Sequence, residues 1–365
     1  MQLLAGDIGG TKALLRLIEV GPDGVSSKLI GQQRYLCKEF DSLEEVVDRF
    51  LSDLEVDNMN RPVQQACFGL PGPVSSRTVQ LTNLPWVVDA DQIEQACSIS
   101  NVLFINDFFA AARGVETLAE NDYELLVTPN KSFNYGELPS GNRLVIGAGT
   151  GLGVAPVCYC EGCYHPVASE GGHFEFAPIS DTQQCLLKWL WSKWEHVSYE
   201  RLLSGPGLEV LYTFFQLCDC PNSFSEDQTG LLKKNWLNGE NDCQNGAVLA
   251  ELESKNSLKM YTAVQVYEAA EQGEPAAVKA LTEFVTIYGT FIGAAALIWN
   301  APGGIYLAGG IASKIIPWMR KPYFYQAYTE KGRMSKLVNA FPVYLITDDD
   351  LGVKGAMQQN LVHHR

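Results

Sequence analysis

Two glycine-rich segments in this chain could hold an anion. Gly6-Asp7-Ile8-Gly9-Gly10-Thr11 follows one short apolar run, and Gly147-Ala148-Gly149-Thr150-Gly151-Leu152-Gly153 follows another. Glycines leave backbone N–H groups free to converge on phosphate oxygens with no Cβ in the way, and Thr11 and Thr150 each add a hydroxyl. Asp7 puts a carboxylate beside the first turn, where it could hold Mg²⁺ directly or through water. Neither segment fits a common nucleotide loop. In a P-loop the lysine follows a glycine and a helix comes next, whereas Lys12 follows Thr11 and precedes a strand. The dinucleotide fingerprint opens a helix at its last glycine, and Gly153 leads into a strand. A single glycine hairpin is most simply a tight turn; two of them placed alike argue for a shared role. Gly309-Gly310 is a weaker third case, equally readable as packing.

The elements that would position these turns read as an α/β pattern. Residues 2–5 and Ala13 to Val20 are strands around the first turn, and Gly21-Pro22-Asp23-Gly24 closes a further hairpin. Ser42 and Glu45 make a capping-box pair before a helix with Leu43, Val46, Val47, Phe50, Leu51 and Leu54 on one face. Val63 to Phe68 is a strand ending in Gly69-Leu-Pro-Gly-Pro73. Val102 to Ile105 is another, ending at Asn106-Asp107 and opening the helix of Phe108 to Thr117. In open sheets ligands sit beyond the carboxyl ends of strands, where Asp7, Pro71 and Asp107 all fall. The pattern then partly repeats. Arg143 to Ala148, a glycine turn, and Val154 to Tyr159 mirror the start, so the chain reads as two related α/β halves facing each other across a cleft. Residues 183–215 and 276–299 read as helical, 219–245 as a polar surface insertion, Gly304 to Ala308 and Val343 to Thr347 as strands, and Leu351 to Leu361 as the last helix.

Composition narrows the function. The 365 residues suggest two domains, and 46% apolar content supplies a sizeable core. The formal charge of −15, with 27 Lys plus Arg against 42 Asp plus Glu, would repel nucleic acid. The densest basic stretch, Lys331 to Lys336, is short. The N-terminus lacks a basic region ahead of its apolar run, so no signal peptide is expected, and Phe291 to Trp299 is too short to cross a bilayer. A cytoplasmic protein with ten reduced cysteines, and no membrane partner, is the expectation.

Six segments together resemble the bacterial glucokinases. They are Gly6 to Thr11, Ile105-Asn-Asp-Phe108, Gly147 to Gly153, Glu170-Gly-Gly-His173, His196-Val-Ser-Tyr-Glu-Arg-Leu-Leu-Ser-Gly-Pro-Gly207 and Leu307-Ala-Gly-Gly310, in order along nearly the whole chain. The glycine turns are common to many actin-like ATPase (ribonuclease H-like) proteins; the other three segments are more specific to glucokinases. The resemblance implies two actin-like domains: residues 1–108 completed by helix 351–365, and residues 109–350. It implies that Gly6, Asp7, Ile8, Gly9, Gly10 and Thr11, with Gly149, Thr150 and Gly151, hold the ATP phosphates. Asp7 would bind the metal, and Gly309 and Gly310 would lie near adenosine. Asn106, Asp107, Glu170, His173 and Glu200 would bind glucose, with Asp107 the catalytic base, often in a homodimer.

The chemistry is compatible with these roles. A hexose presents hydroxyls that both donate and accept, for which carboxylate, amide and imidazole are natural partners. Each residue alone has a plainer reading. A lone His can be satisfied in a core, Glu200 in Ser198-Tyr-Glu-Arg201 can simply favour a helix dipole, and Asp107 can be a helix N-cap. Cys158, Cys160, Cys163 and His165 have spacing that could take zinc. In the ROK branch of sugar kinases the cysteines of the zinc site follow the Gly-His segment, where this chain has Phe174-Glu-Phe-Ala-Pro178, so reduced thiols are expected. The expected activity is ATP- and Mg²⁺-dependent phosphorylation of glucose to glucose 6-phosphate. Alternatives are a kinase for mannose or fructose, a sugar-sensing regulator (for which no room for a DNA-binding module is apparent before Asp7), or an actin-like ATPase that moves protein.

Overall fold

The computed structural model describes residues 1–23, 26–54, 62–81, 83–129, 138–219 and 258–363. Beyond its first residue, the expected insertion at 219–245 lies outside them.

The first sheet grows from the hairpin of β1 (Gln2–Ile8) and β2 (Lys12–Val20). Ile8 stands opposite Ala13, which confines the turn to the glycines and Thr11. β3 (Ser27–Leu36) pairs antiparallel with β2. Helix α1 (Leu43–Asp53) starts where the Ser42 hydroxyl accepts the Glu45 N–H at 3.3 Å. The Glu45 carboxylate reaches past the cap to the Asp41 N–H at 2.9 Å, so the expected capping box is present in a shifted form. β4 (Val63–Leu70) lies parallel to β1, and a ribbon of β5 (Thr78–Gln80) and β6 (Val87–Asp89) leads into α2 (Ala90–Cys97). β7 (Val102–Asn106) runs parallel to β4 and passes directly into α3 (Asp107–Gly114).

The second sheet contains β8 (Tyr123–Val127), β9 (Arg143–Ala148), β10 (Leu152–Cys160) and β11 (Cys163–Pro166). Helices α4 (Asp181–Trp191), α5 (Gly205–Asp219), α6 (Ala263–Glu271) and α7 (Pro275–Trp299) follow. Then come β12 (Ile305–Ala308), α8 (Gly310–Met319), α9 (Pro322–Thr329), α10 (Ser335–Val338), β13 (Val343–Ile346) and α11 (Leu351–His363). The strand orders are β3-β2-β1-β4-β7 and β11-β10-β9-β12-β13-β8. Each begins as an antiparallel meander of three strands and continues with two parallel ones; β8 adds an antiparallel edge to the second. The repeat suggested by the two glycine turns is therefore a repeat of sheet topology.

Alternation along β1 sends its side chains to two cores. Leu4 and Ile8 pack with Val46, Val47 and Phe50 of α1. Leu3 and Ala5 pack on the opposite face with Val353, Ala356 and Met357 of α11. The last helix thus covers the first sheet, pinned by a buried Asn360 Nδ2–H donating to the Leu4 carbonyl at 2.7 Å. Under the second sheet, Leu144 and Ile146 pack against α7, which carries Phe284, Tyr288, Phe291 and Ile292. By length and composition α7 could cross a membrane, but 67% of its most apolar window is buried among the protein's own helices, as a core helix would be.

Candidate active site

Asn106 and Asp107 end β7 and begin α3, and the structure divides their work. Asn106 has extended backbone (φ −65°, ψ 145°), and its Oδ1 accepts the N–H groups of Phe108 at 2.9 Å and Phe109 at 3.1 Å. Asn106 is the N-cap, so the capping role open to Asp107 is already filled. Asp107 is the first helical residue and takes the Phe108 N–H on Oδ1 at 2.8 Å. Asn106 Nδ2 also donates to the Gly72 carbonyl at 3.1 Å, tying in the Pro71-Gly72-Pro73 turn and leaving one amide hydrogen for a ligand.

Asp107 lines two adjoining cavities. One, of about 490 Å³, also contains Asn106, Glu170, His173, Glu200, the segment Gly147 to Val154, and Asn83. The other, of about 310 Å³, contains Asp7, Gly309, Gly310, Asp348 and Asp349. Burial lifts the Asp107 carboxyl to about 7; Asp7 and Glu170 push the same way, and the Phe108 N–H opposes them. Burial likewise lifts Asp7 to about 6, with Arg34 pulling down and Asp350 pushing up. Two mutually repelling carboxylates in one recess, with no Lys or Arg lining either cavity, suit a bound cation.

Glu170 and His173 bracket a 3₁₀ turn, Gly171–His173. A Cβ on Gly172 would strike the Leu152 carbonyl oxygen, so the glycine lets this turn sit directly on β10. Glu200 belongs to a second 3₁₀ turn, Tyr199–Arg201, which interrupts the expected continuous helix over 183–215. Its Oε2 accepts the Leu152 N–H at 2.9 Å and lies 2.6 Å from where a Gly151 Cβ would be. Its Oε1 is 3.9 Å from His173 Nε2. Glu200 therefore joins the second glycine turn to the His173 group, instead of serving a helix end.

The two hairpin turns close in comparable ways: the Gly9 N–H donates to the Lys12 carbonyl at 2.9 Å and the Gly149 N–H to the Gly151 carbonyl at 2.8 Å. Among the described residues, the N–H groups of Gly10 and Thr11, and of Thr150 and Gly151, have no backbone acceptor. Gly6 and Ile8 lie elsewhere. Gly6 is buried against Phe68 and Leu15, and the Ile8 side chain is in the core, so neither lines either cavity; Gly9, Gly10 and Thr11 of the first turn are likewise outside both linings, while Asp7 lines the smaller cavity and Gly149, Thr150 and Gly151 the larger. Gly309 has φ +88°, and a Cβ there would come within 2.7 Å of the Ala148 carbonyl oxygen. It caps α8, whose first residue, Gly310, faces the smaller cavity. Phe108 packs its ring against Gly147 and Gly153, locking α3 onto the β9–β10 hairpin.

Asn83, Ser169, Asp348 and Asp349 also line the cavities, although their sequence context did not single them out. The Asn-Leu-Pro turn at residue 83 and the triple carboxylate before the last helix were the available signals. On the β10–β11 hairpin, Cys158 faces His165 and Cys160 faces Cys163. Among the described residues no group of three or more His, Cys, Asp or Glu side chains is gathered closely enough to hold a metal.

The fold is shared with solved sugar kinases of the glucokinase and ROK groups. A glucokinase from an Antarctic psychrotroph superposes with a TM-score of 0.74 at 27% identity, over 100% of this chain and 99% of that one. A ROK family glucokinase from Streptomyces griseus, solved with glucose and AMPPNP, shares the fold at TM-score 0.55 and 19% identity, with 98% of each chain covered. The Glucokinase family profile matches residues 4–361, and the Nostoc punctiforme Glucokinase is 34% identical over 363 residues, 97% of each chain. The chain belongs to the Glucokinase family, whose members are enzymes that phosphorylate glucose.

Proposed function

We propose that this cleft transfers the terminal phosphoryl group of ATP to the C6 hydroxyl of glucose, with Asp107 as the base. The observation that carries the reading is the placement of Asp107: relieved of capping by Asn106, it shares one cavity with Glu170, His173 and Glu200 and with the second glycine turn. Those three side chains and the remaining Asn106 amide hydrogen hold the sugar hydroxyls. Asp107, with its carboxyl near 7, accepts the C6 proton as the oxygen bonds to phosphorus. The N–H groups of Gly10, Thr11, Thr150 and Gly151 hold phosphate oxygens, and Gly309 and Gly310 lie on the adenosine side. The hard carboxylate oxygens of Asp7 fit Mg²⁺, directly or through water, and the ion when bound offsets the phosphate charge. Catalysis is then positioning plus electrostatics.

The two sheets, with α11 on the first, form two actin-like halves, residues 1–108 with 351–365 and residues 109–350. These close over the sugar and exclude water as acceptor. A panel of hexoses crossed with ATP, ADP and polyphosphate, scored for sugar phosphate formed, tests the reading. Glucose with ATP is expected to dominate; preference for mannose, fructose or another donor would overturn that part.

A further inference from the structure

Asn83 lies in the larger cavity with Asp107 and the Gly149–Gly151 turn, yet it belongs to the loop of the β5–β6 ribbon. The Leu81 N–H and the Trp86 carbonyl close that loop at 3.1 Å. Its side chain lies over the first glycine turn: a Cβ on Gly10 would be 2.8 Å from Asn83 Cβ, 3.6 Å from Cγ and 3.7 Å from Nδ2. The residue is exposed, and among the described residues its amide has no hydrogen bond. An Asn in a turn commonly bonds its own backbone; here the carboxamide is presented to the cleft beside the turn where phosphate is held.

The residues lining the cleft offer a phosphoryl group no Lys or Arg. A group in transit whose negative charge is spread over three peripheral oxygens is stabilised by donors placed there. We propose that the Asn83 Nδ2–H donates to the phosphoryl group as it passes to the sugar, making Asn83 a catalytic residue contributed by the first-sheet side of the cleft. The inference rests on the phosphoryl-transfer reading given above. Asn83 shares its cavity with Glu170, His173 and Glu200, but its side chain packs on Gly10, and that placement assigns it to the phosphate and not to the sugar ring.

The test compares Asn83→Asp and Asn83→Ala with the wild-type protein. Asp keeps the shape against Gly10 but at neutral pH cannot donate and repels the phosphoryl oxygens; Ala simply removes the group. Both are expected to lower kcat by roughly 10²- to 10³-fold, as loss of one preorganised donor does. The KM for glucose should stay within about threefold. The second readout is binding, by tryptophan fluorescence, of glucose with MgADP and aluminium fluoride, which mimics the phosphoryl group in flight. Its affinity should fall by a factor comparable to kcat, while glucose binding alone is retained. Near-wild-type kcat in Asn83→Asp would overturn the proposal, since only packing on Gly10 would then matter. So would a change confined to the glucose KM, which would make Asn83 a sugar ligand, or an unchanged affinity for the fluoride complex. Wild-type protein that makes no sugar phosphate from glucose and ATP would instead refute the underlying activity, independently of the variants.

Discussion

Replacing Asp107 by Asn separates its chemical role from its structural one, and the structure predicts opposite signs for the two. Asn preserves size and the oxygen that accepts the Phe108 N–H, while the helix keeps its true cap, Asn106. Without a usable base kcat should fall by roughly 10²- to 10⁴-fold, with glucose still bound. Stability should rise. The carboxyl moves from 3.8 unfolded to about 7 folded, so ionising it in the native state costs up to about 4 kcal/mol. A carboxyl with a raised native value holds its proton more tightly folded than unfolded. The wild type therefore loses this stability between pH 4 and 7, and the whole penalty is present above 7. The Asn side chain has no such dependence. Urea unfolding of the ligand-free proteins should show a small difference at pH 4 and an advantage for Asp107→Asn of about 2–4 kcal/mol at pH 8. Activity within a few-fold of wild type, or an equal stability difference at both pH values, would refute the reasoning.

Wild-type kcat/KM for glucose should climb with pH through about 7 as Asp107 ionises; a flat profile from pH 5.5 to 8 would count against it as the base. His173→Ala should raise the glucose KM at least tenfold with little effect on the ATP KM, whereas Glu200→Ala should raise both, because it also releases the Leu152 N–H that steadies the second glycine turn. Steady-state kinetics with each substrate varied decides between these patterns. Gly151→Ala places a methyl 2.6 Å from Glu200 Oε2 and should weaken ATP at least tenfold; calorimetric titration with an ATP analogue that shows unaltered affinity would contradict the role of this turn. Asn106→Ala, which removes the helix cap, should cost about 1–2 kcal/mol in urea unfolding, and Asn106→Asp should recover most of it.

Local signals in the sequence were enough for the parts that local physics decides. The two glycine hairpins, the Ser42-capped helix α1 and the apolar runs of β1, β4, β7 and β9 could be read directly, because turn chemistry, capping and runs of apolar residues act within a few residues. β3 was harder to see: it is an exposed edge strand with no alternation of buried and exposed positions. α8 hides behind Pro317, which breaks its helical pattern. Asn106 and Asp107 are both good capping residues in adjacent positions, so only the backbone angles could decide which one caps and which is left for chemistry. The role of Glu200 depends on Leu152, 48 residues away in sequence, and that of Asn83 on its contact with Gly10. α11 completes the first sheet by packing on β1 at the opposite end of the chain. Residue types and spacing determined what chemistry this chain could carry. The tertiary fold decided which of those groups meet, because such meetings depend on the packing of whole sheets and helices, which no local pattern encodes.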